Sequence, residues 1–236
     1  GGLGFIGSNL AFSLSKEGLQ STLIDSLIPL YGGNLFNIDA LNNLPKINLS
    51  DVRDHHSLEA LLEGKEILYN LAGQTSHMDS MTDPFTDLDI NVKAQLSILE
   101  VCRKIAPNIR IVFASTRQIY GRPQYLPANE SHPLQPLDVN GINKLAGEQY
   151  HLLYSKIYGI RSTVLRLTNT YGPRMRIKDA RQTFLGVWIK NLLQQKSFEV
   201  WGGDQLRDYT YVDDCVDALS LASSNELAVG KIYNLG

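Results

Sequence analysis

The chain opens on GGLGFIGS, residues 1–8, and no other stretch narrows its possible folds as much. Glycines at 1, 2, 4 and 7 satisfy G-x-G-x-x-G from Gly2 and G-x-x-G-x-x-G from Gly1. Residues without a Cβ let a turn tighten, let backbone approach a pyrophosphate, and let the next helix pack closely on a sheet. A lone glycine pattern is weak evidence. Here an apolar helical stretch follows at once, and the strand-like STLID (21–25) then ends in Asp25. That carboxylate stands about 20 residues on, where it can take a ribose 2′-hydroxyl. The plain alternative is a glycine turn beside a surface aspartate, and three agreeing features argue against it. Asp25 would repel a 2′-phosphate, so NAD is expected rather than NADP.

Beyond the turn, β-like runs alternate with helical patterns up to about residue 167. The strand candidates are STLID, KINL (46–49), EILYNLA (66–72), IRIVFAS (109–115) and RSTVLRL (161–167). The segments between them carry apolar residues at three- and four-residue spacing. Several strands are continuously apolar, as when helices cover both faces of a sheet. The alternation predicts an α/β fold, a doubly wound parallel sheet, over residues 1–167.

After residue 168 the rhythm breaks. A helix near 182–195, a short strand near 198–201 and a helix near 213–224 suggest a smaller C-terminal substrate-binding region, 168–236, interleaved with the sheet. A doubly wound sheet also needs a strand before the glycine turn. The chain has no initiator Met and stops on KIYNLG, a strand running into a glycine. It is therefore expected to be a fragment, truncated at both ends.

Composition removes several function classes. Of the 236 residues, 43% are hydrophobic and 19% charged, enough to build a buried core. The formal net charge of −2 and the lack of a long basic run argue against nucleic acid or an anionic membrane as partner. Cys102 and Cys215 sit far apart in apolar contexts and read as reduced core residues, and no metal-ligand spacing occurs. No run of 18 apolar residues and no leader-like N-terminus appears, so a soluble, cytoplasmic location is expected.

Several motifs together resemble the extended short-chain dehydrogenase/reductase family, in particular its NAD-dependent nucleotide-sugar epimerases and dehydratases. GGLGFIGS is similar to that family's cofactor loop, DVRD (51–54) to its adenine-contacting segment, and NLAGQTS (70–76) to the segment lying along the cofactor. STRQIYG (115–121) resembles its catalytic strand end, while LRLTNTYGPR (165–174) and QLRDYTYVDD (205–214) resemble its nucleotide-sugar segments. The resemblance spans the whole chain and implies a Rossmann-type fold binding NAD. It implies cofactor contacts at Gly1, Gly4, Phe5, Ile6, Gly7, Asp51, Val52, Leu71, Ala72, Gly73 and Lys144, besides Asp25. Asn169 and Arg207 would meet the nucleotide sugar, an amide and a guanidinium suited to a diphosphate. The loop arginines Arg174 and Arg176 are more simply read as solvated. A homodimer through segments 83–106 and 138–158 is also implied, although their apolar faces suit a core equally well.

The resemblance breaks at one position. The family pattern is Tyr-x-x-x-Lys, one helical turn apart, with the lysine lowering the tyrosine's pKa. This chain reads Asn140-Gly141-Ile142-Asn143-Lys144. An amide does not titrate near neutral pH and cannot shuttle a proton. Three explanations are open. Another group takes the proton, with His77 best placed by its ordinary pKa and Asp138, His132 and Tyr120 as further candidates. Thr116 and Lys144 move it through a water, Asn140 only orienting the substrate. Or the chain binds cofactor and sugar nucleotide without turning them over, as a sensor or interaction module. The family's dehydratases place an Asp-Glu pair after the catalytic threonine. Here Thr116 precedes Arg117-Gln118, so dehydration is disfavoured. The reaction this favours is epimerisation, UDP-glucose 4-epimerase-like, through a transient keto-sugar.

Overall fold

The structure, a computed structural model, describes residues 1–29, 31–181, 184–200 and 202–236. Strands β1 (Thr22–Ile24) and β2 (Lys46–Asn48) pair in parallel. β3 (Ile67–Asn70), β4 (Arg110–Thr116) and β5 (Arg161–Leu167) run parallel side by side. β6 (Asn169–Tyr171) and β7 (Tyr209–Tyr211) form a separate parallel pair, and β8 (Ile232–Leu235) returns to lie beside β5. Residues 1–2 sit between the β1–β2 pair and β3. The nitrogens of Gly1 and Gly2 reach the Ile24 carbonyl at 2.9 and 3.0 Å, and a Cβ on Gly1 would lie 2.4 Å from the Leu71 oxygen.

The helices are α1 (Phe5–Lys16), α2 (His55–Leu62), α3 (His77–Thr82), α4 (Pro84–Leu88), α5 (Ala94–Ile105), α6 (Val139–Tyr158), α7 (Phe184–Leu193) and α8 (Val212–Ser224). A π-helical stretch, Asp89–Lys93, links α4 to α5. Leu10 of α1 and Val216 and Leu219 of α8 pack with Val112 and Ala114 on one sheet face. Leu58, Ile98, Leu99 and Tyr154 from α2, α5 and α6 pack with Ile111 on the other. Alternate residues of β4 thus face opposite helix layers, which is why IVFA (111–114) within it is apolar without a break. Each such buried Leu or Ile contributes about 1.5–3 kcal/mol. Cys102 and Cys215 are buried free thiols in these clusters, their pKa values pushed up to about 12 by desolvation.

α6 has clear start and stop signals. The Asp138 carboxylate accepts the Gly141 N–H at 2.7 Å, and Gly159 ends the helix at φ 71°, a left-handed position that glycine takes without steric cost. Three segments differ from the sequence reading. The strand expected over 66–72 stops at Asn70, and Leu71–Gly73 leave the sheet to line a cleft. Residues 198–200 form no strand, because the Phe198 ring stacks on Trp188 of α7 at 5.4 Å and packs there instead; residue 201 lies outside the described residues. The helix expected over 182–195 is seen as Phe184–Leu193, with 182–183 likewise outside them. In the two segments expected to pair in a dimer, Leu99, Val101, His151 and Tyr154 are buried in this chain's own core, whereas Leu153, Ile157 and Tyr158 stay exposed.

Candidate active site

One cleft follows the carboxyl ends of β1, β3, β4 and β5, the place where open α/β sheets bind ligands. Its first part is made mostly of backbone. Gly4 caps α1 without any side-chain acceptor, and the first turn holds no acidic residue, so the positive end of the helix is open to an anion. At two of its glycines the cradle has no room for a side chain. A Cβ on Gly7 would lie 2.2 Å from the Gly1 carbonyl oxygen, and one on Gly1 would strike Leu71. Gly1, Gly4, Phe5, Ile6 and Gly7 all line this part of the cleft.

Asp25 lies beside them, accepting the N–H of Leu3 at 3.1 Å and of Leu27 at 2.9 Å. A Cβ on Gly33 would come within 2.5 Å of its Oδ1, so a glycine that sequence reasoning passed over keeps the space beside this carboxylate clear. Asp51 is held by Arg53, whose Nε and Nη2 donate at 2.9 and 2.6 Å, and these hydrogen bonds keep its carboxyl below the usual range. Val52 follows it on the cleft wall. A cradle closed to a Cβ at Gly1 and Gly7, an open helix N-terminus and a carboxylate one strand away fit a dinucleotide.

The second part of the cleft is built from side chains. Lys144 Nζ donates to the Ala114 carbonyl at 2.9 Å and sits 5.0 Å from the centre of the Phe113 ring. One turn on, Glu148 accepts the Ser115 hydroxyl at 2.8 Å and pairs with the equally buried Arg166. Helix α6 therefore grips two successive residues of β4 immediately before Thr116. Burial pulls the Lys144 pKa down to about 8, with Asp87 opposing the shift. A Cβ on Gly73 would lie 3.0 Å from Lys144 Nζ and 3.1 Å from Asn91 Oδ1, a buried acceptor with no donor among the described residues. A polar ligand group beside Gly73 would thus meet an amine and an orphaned oxygen.

Asn140 borders the same space, but its amide faces inward. Nδ2 donates to the Gln74 carbonyl at 2.8 Å, to Gln74 Oε1 at 3.1 Å and to Asp87 Oδ2 at 2.9 Å. Asn143 donates to the other oxygen of Asp87 at 2.8 Å, and the Asn140 N–H reaches Ser80 Oγ at 3.3 Å. These contacts tie the first turn of α6 to α4 and to the loop after β3. Asp87, fully buried, is satisfied by two amides. Sequence reasoning missed it, since DLDIN carries no local sign that one of its carboxylates turns inward.

Thr116, Lys144, Asn140, Leu71, Ala72, Gly73 and Asn169 thus share the cleft with the glycine cradle. His77 and Arg207 do not line it. His77 is half-exposed at the start of α3, its Nδ1 paired with the Asp138 carboxylate. His132 has both ring nitrogens engaged, Nε2 by the Gln124 N–H at 2.9 Å and Nδ1 by the Pro133 carbonyl at 2.8 Å. The Tyr120 hydroxyl joins Arg166 to Asn234. None of the alternative proton acceptors therefore stands on the cleft wall.

Asn169 also departs from expectation. Its Nδ2 donates to the Asp208 carbonyl at 3.0 Å and its Oδ1 accepts from Arg117 at 3.2 Å, so both ends of the amide are in use. The loop arginines are not simply solvated. Arg174 lies over the Phe12 ring and donates to Asn9, and Arg176 lines the cleft, bonded to Asp179. Arg207 lies exposed near Arg117.

Comparison with known proteins agrees with this geometry. The family model described as the NAD dependent epimerase/dehydratase family matches residues 1–236. The chain is 32% identical to the uncharacterized UDP-glucose epimerase YtcB of Bacillus subtilis, covering 100% of this chain and 75% of that protein. Among solved structures it is similar to UDP-glucose 4-epimerase of Thermotoga maritima with UDP-glucose (TM-score 0.91, 28% identity, 100% and 75% covered). It is also similar to UDP-glucuronic acid 4-epimerase of Bacillus cereus in complex with UDP-glucuronic acid and NAD (TM-score 0.89, 29% identity, 100% and 75% covered).

Proposed function

The chain belongs to the NAD-dependent epimerase/dehydratase family, and on that premise we propose that it is an epimerase of a nucleotide-diphosphate hexose, acting at C4 as a UDP-glucose 4-epimerase does. The observation that carries this reading is the convergence of Thr116 and Lys144 on one cleft with the glycine cradle and Asp25. NAD, when bound, supplies the acceptor that lets a sugar carbon be oxidised and then reduced on its other face. Gly1, Gly4 and Gly7 with the start of α1 would hold its pyrophosphate, Asp25 a ribose, and Lys144 the nicotinamide ribose.

The proton is the protein's task. The Thr116 hydroxyl donates to the sugar oxygen as charge develops there. Lys144, with its pKa drawn down to about 8, is mostly charged at neutral pH but yields a neutral amine far more readily than an ordinary lysine, and in that minor form it accepts the proton through a water. Asn140 is a positioning residue that locks the start of α6 and so the place of Lys144. Asn169 holds Arg117, and Arg207 keeps a role at the diphosphate. Elimination of water would need a carboxylate pair after Thr116, and Arg117 and Gln118 cannot supply one, which favours epimerisation over dehydration. The apolar residues left exposed on α6, Leu153 and Ile157, suit a homodimer.

One observation favours a second reading. The amide of Asn140 is turned into the protein, so the position that carries the family's base faces its own scaffold. A binding module without turnover would tolerate that. Incubating the protein with NAD and UDP-glucose or UDP-galactose, and following the anomeric protons by NMR, separates the two. Appearance of the C4 epimer supports the epimerase. NAD binding without conversion rejects UDP-hexose epimerisation and leaves the binding module or a different sugar nucleotide.

A further inference from the structure

Three arginines line the cleft, and they are not equivalent. Arg176 is engaged by Asp179 at 2.6 Å, and Arg181 by Asp79 at 3.0 Å and by Asp179. Arg117, the residue after Thr116, gives one Nη2 hydrogen bond to the amide oxygen of Asn169 at 3.2 Å. Among the described residues no carboxylate pairs with it. Burial, and next the nearby Arg207, draw its pKa below the ordinary guanidinium value, with Asp208 and Tyr209 opposing. A guanidinium partly removed from water without a counterion is unfavourable, and a bound anion relieves it. Beside it on the cleft wall, Gln118 presents a second unmet group, a buried Oε1 with no donor among the described residues.

We propose that Arg117 determines substrate choice by receiving a carboxylate on the sugar ring, so that the site prefers a nucleotide diphosphate of a hexuronic acid over one of a neutral hexose. The inference rests on the nucleotide-sugar reading above and narrows its substrate. Position argues for the sugar rather than the diphosphate as the source of the anion. Arg117 directly follows Thr116, the hydroxyl assigned to the reacting sugar oxygen, and lines the cleft, whereas the neighbouring Arg207 is exposed, does not line it, and is the guanidinium assigned to the diphosphate. Chemistry agrees, because a guanidinium fork matches a planar carboxylate in a two-point contact, and the orphaned Gln118 oxygen can accept from a ring hydroxyl.

The test is calorimetric titration of the NAD-loaded protein with UDP, UDP-glucose and UDP-glucuronate. The wild type is expected to bind UDP-glucuronate at least about tenfold more tightly than UDP-glucose, an advantage of about 1.4 kcal/mol. Arg117→Met should erase that preference while leaving UDP affinity unchanged, and Arg117→Lys should restore part of it. Equal wild-type affinities for the two sugars would overturn the proposal, and need no variant to fold. Equal loss of UDP and UDP-glucuronate in Arg117→Met would move the guanidinium to the diphosphate and overturn it as well. Failure of UDP itself to bind would sink the nucleotide-sugar reading, and this inference with it.

Discussion

The glycine cradle and the start of α6 border the same cleft, yet they are made of different materials. In the cradle, function comes from side chains that are absent: Gly1 and Gly7 leave backbone where any Cβ would collide. At the start of α6 it comes from side chains that hold one another: Asn140 donates to Gln74 and Asp87, and Asn143 to the other oxygen of Asp87. A backbone site leaves little to vary except the glycines. A side-chain network can change one member and keep its shape. That difference accounts for a chain that keeps the family's cofactor loop and carries an amide where the family has its tyrosine.

The largest expected effect sharpens the contrast on the side-chain end. Lys144→Met should lower turnover by about 10²–10⁴-fold, the usual worth of a positioned acid or base, as measured by the NMR conversion assay. It should at the same time stabilise the protein near pH 7. The folded pKa of Lys144, about 8, lies below its ordinary 10.5, so between those values the unfolded chain binds more protons than the fold. Wild-type stability from this group therefore rises as pH climbs from about 8 to 10.5 and is lost as pH falls back through 8. Thermal melts across that window should show the variant's advantage shrinking as pH rises. His151, itself pushed down to about 3, stays neutral throughout.

The next effect belongs to the cradle. Gly7→Ala sets a methyl 2.2 Å from the Gly1 carbonyl, and that backbone is wedged against Leu71 and cannot yield easily. An overpacking penalty of about 3 kcal/mol, near the upper end for such changes, corresponds to roughly a hundredfold loss of NAD affinity. Titration with NAD measures it. A loss below about threefold would show that the cradle gives way and is not the rigid backbone site its geometry describes.

Legibility followed the same division. The glycine spacing, the Asp25 offset and the period-3.6 helices are local patterns, so the cradle, the doubly wound sheet and the extent of α6 could be read from the chain. Asn140 was readable as a departure, but its partners were not. Gln74, Ser80 and Asp87 lie 66, 60 and 53 residues away, and only the docking of α3 and α4 against α6 brings them together. The Glu148 anchor was within reach, because it lies one helical turn after Lys144 on the same face. Imidazole chemistry singles out His77 in the sequence, but side-chain chemistry alone says nothing about which way a helix start points.

Asn140→Tyr tests whether the network is as closed as it looks. A phenol at a site 1% exposed has to displace Gln74 or break the donor to Asp87, at a penalty of about 2 kcal/mol. A lower melting temperature without new turnover is expected. Higher turnover at unchanged stability would mean that the position still opens to the substrate, and would bring the two parts of the cleft closer in kind.

The smallest effect bears on the one residue that belongs to both modes of construction. Asp25 is a side chain, but what it holds is backbone: one oxygen accepts the Leu3 N–H and the other the Leu27 N–H. In Asp25→Asn only one oxygen survives, so one of these N–H groups faces an NH2 and loses its acceptor. That should lower stability by about 1 kcal/mol. The same change removes the negative charge that would repel a 2′-phosphate, so the preference for NAD over NADP should shrink by about tenfold. Melting and titration with each dinucleotide report the two consequences separately. Should the preference hold while the melting temperature falls, Asp25 is a turn-holding residue alone, and the cradle is as much a piece of internal scaffolding as the start of α6. Should the preference collapse with little change in melting, the carboxylate serves the cofactor first, and the two turn hydrogen bonds are incidental to its placement.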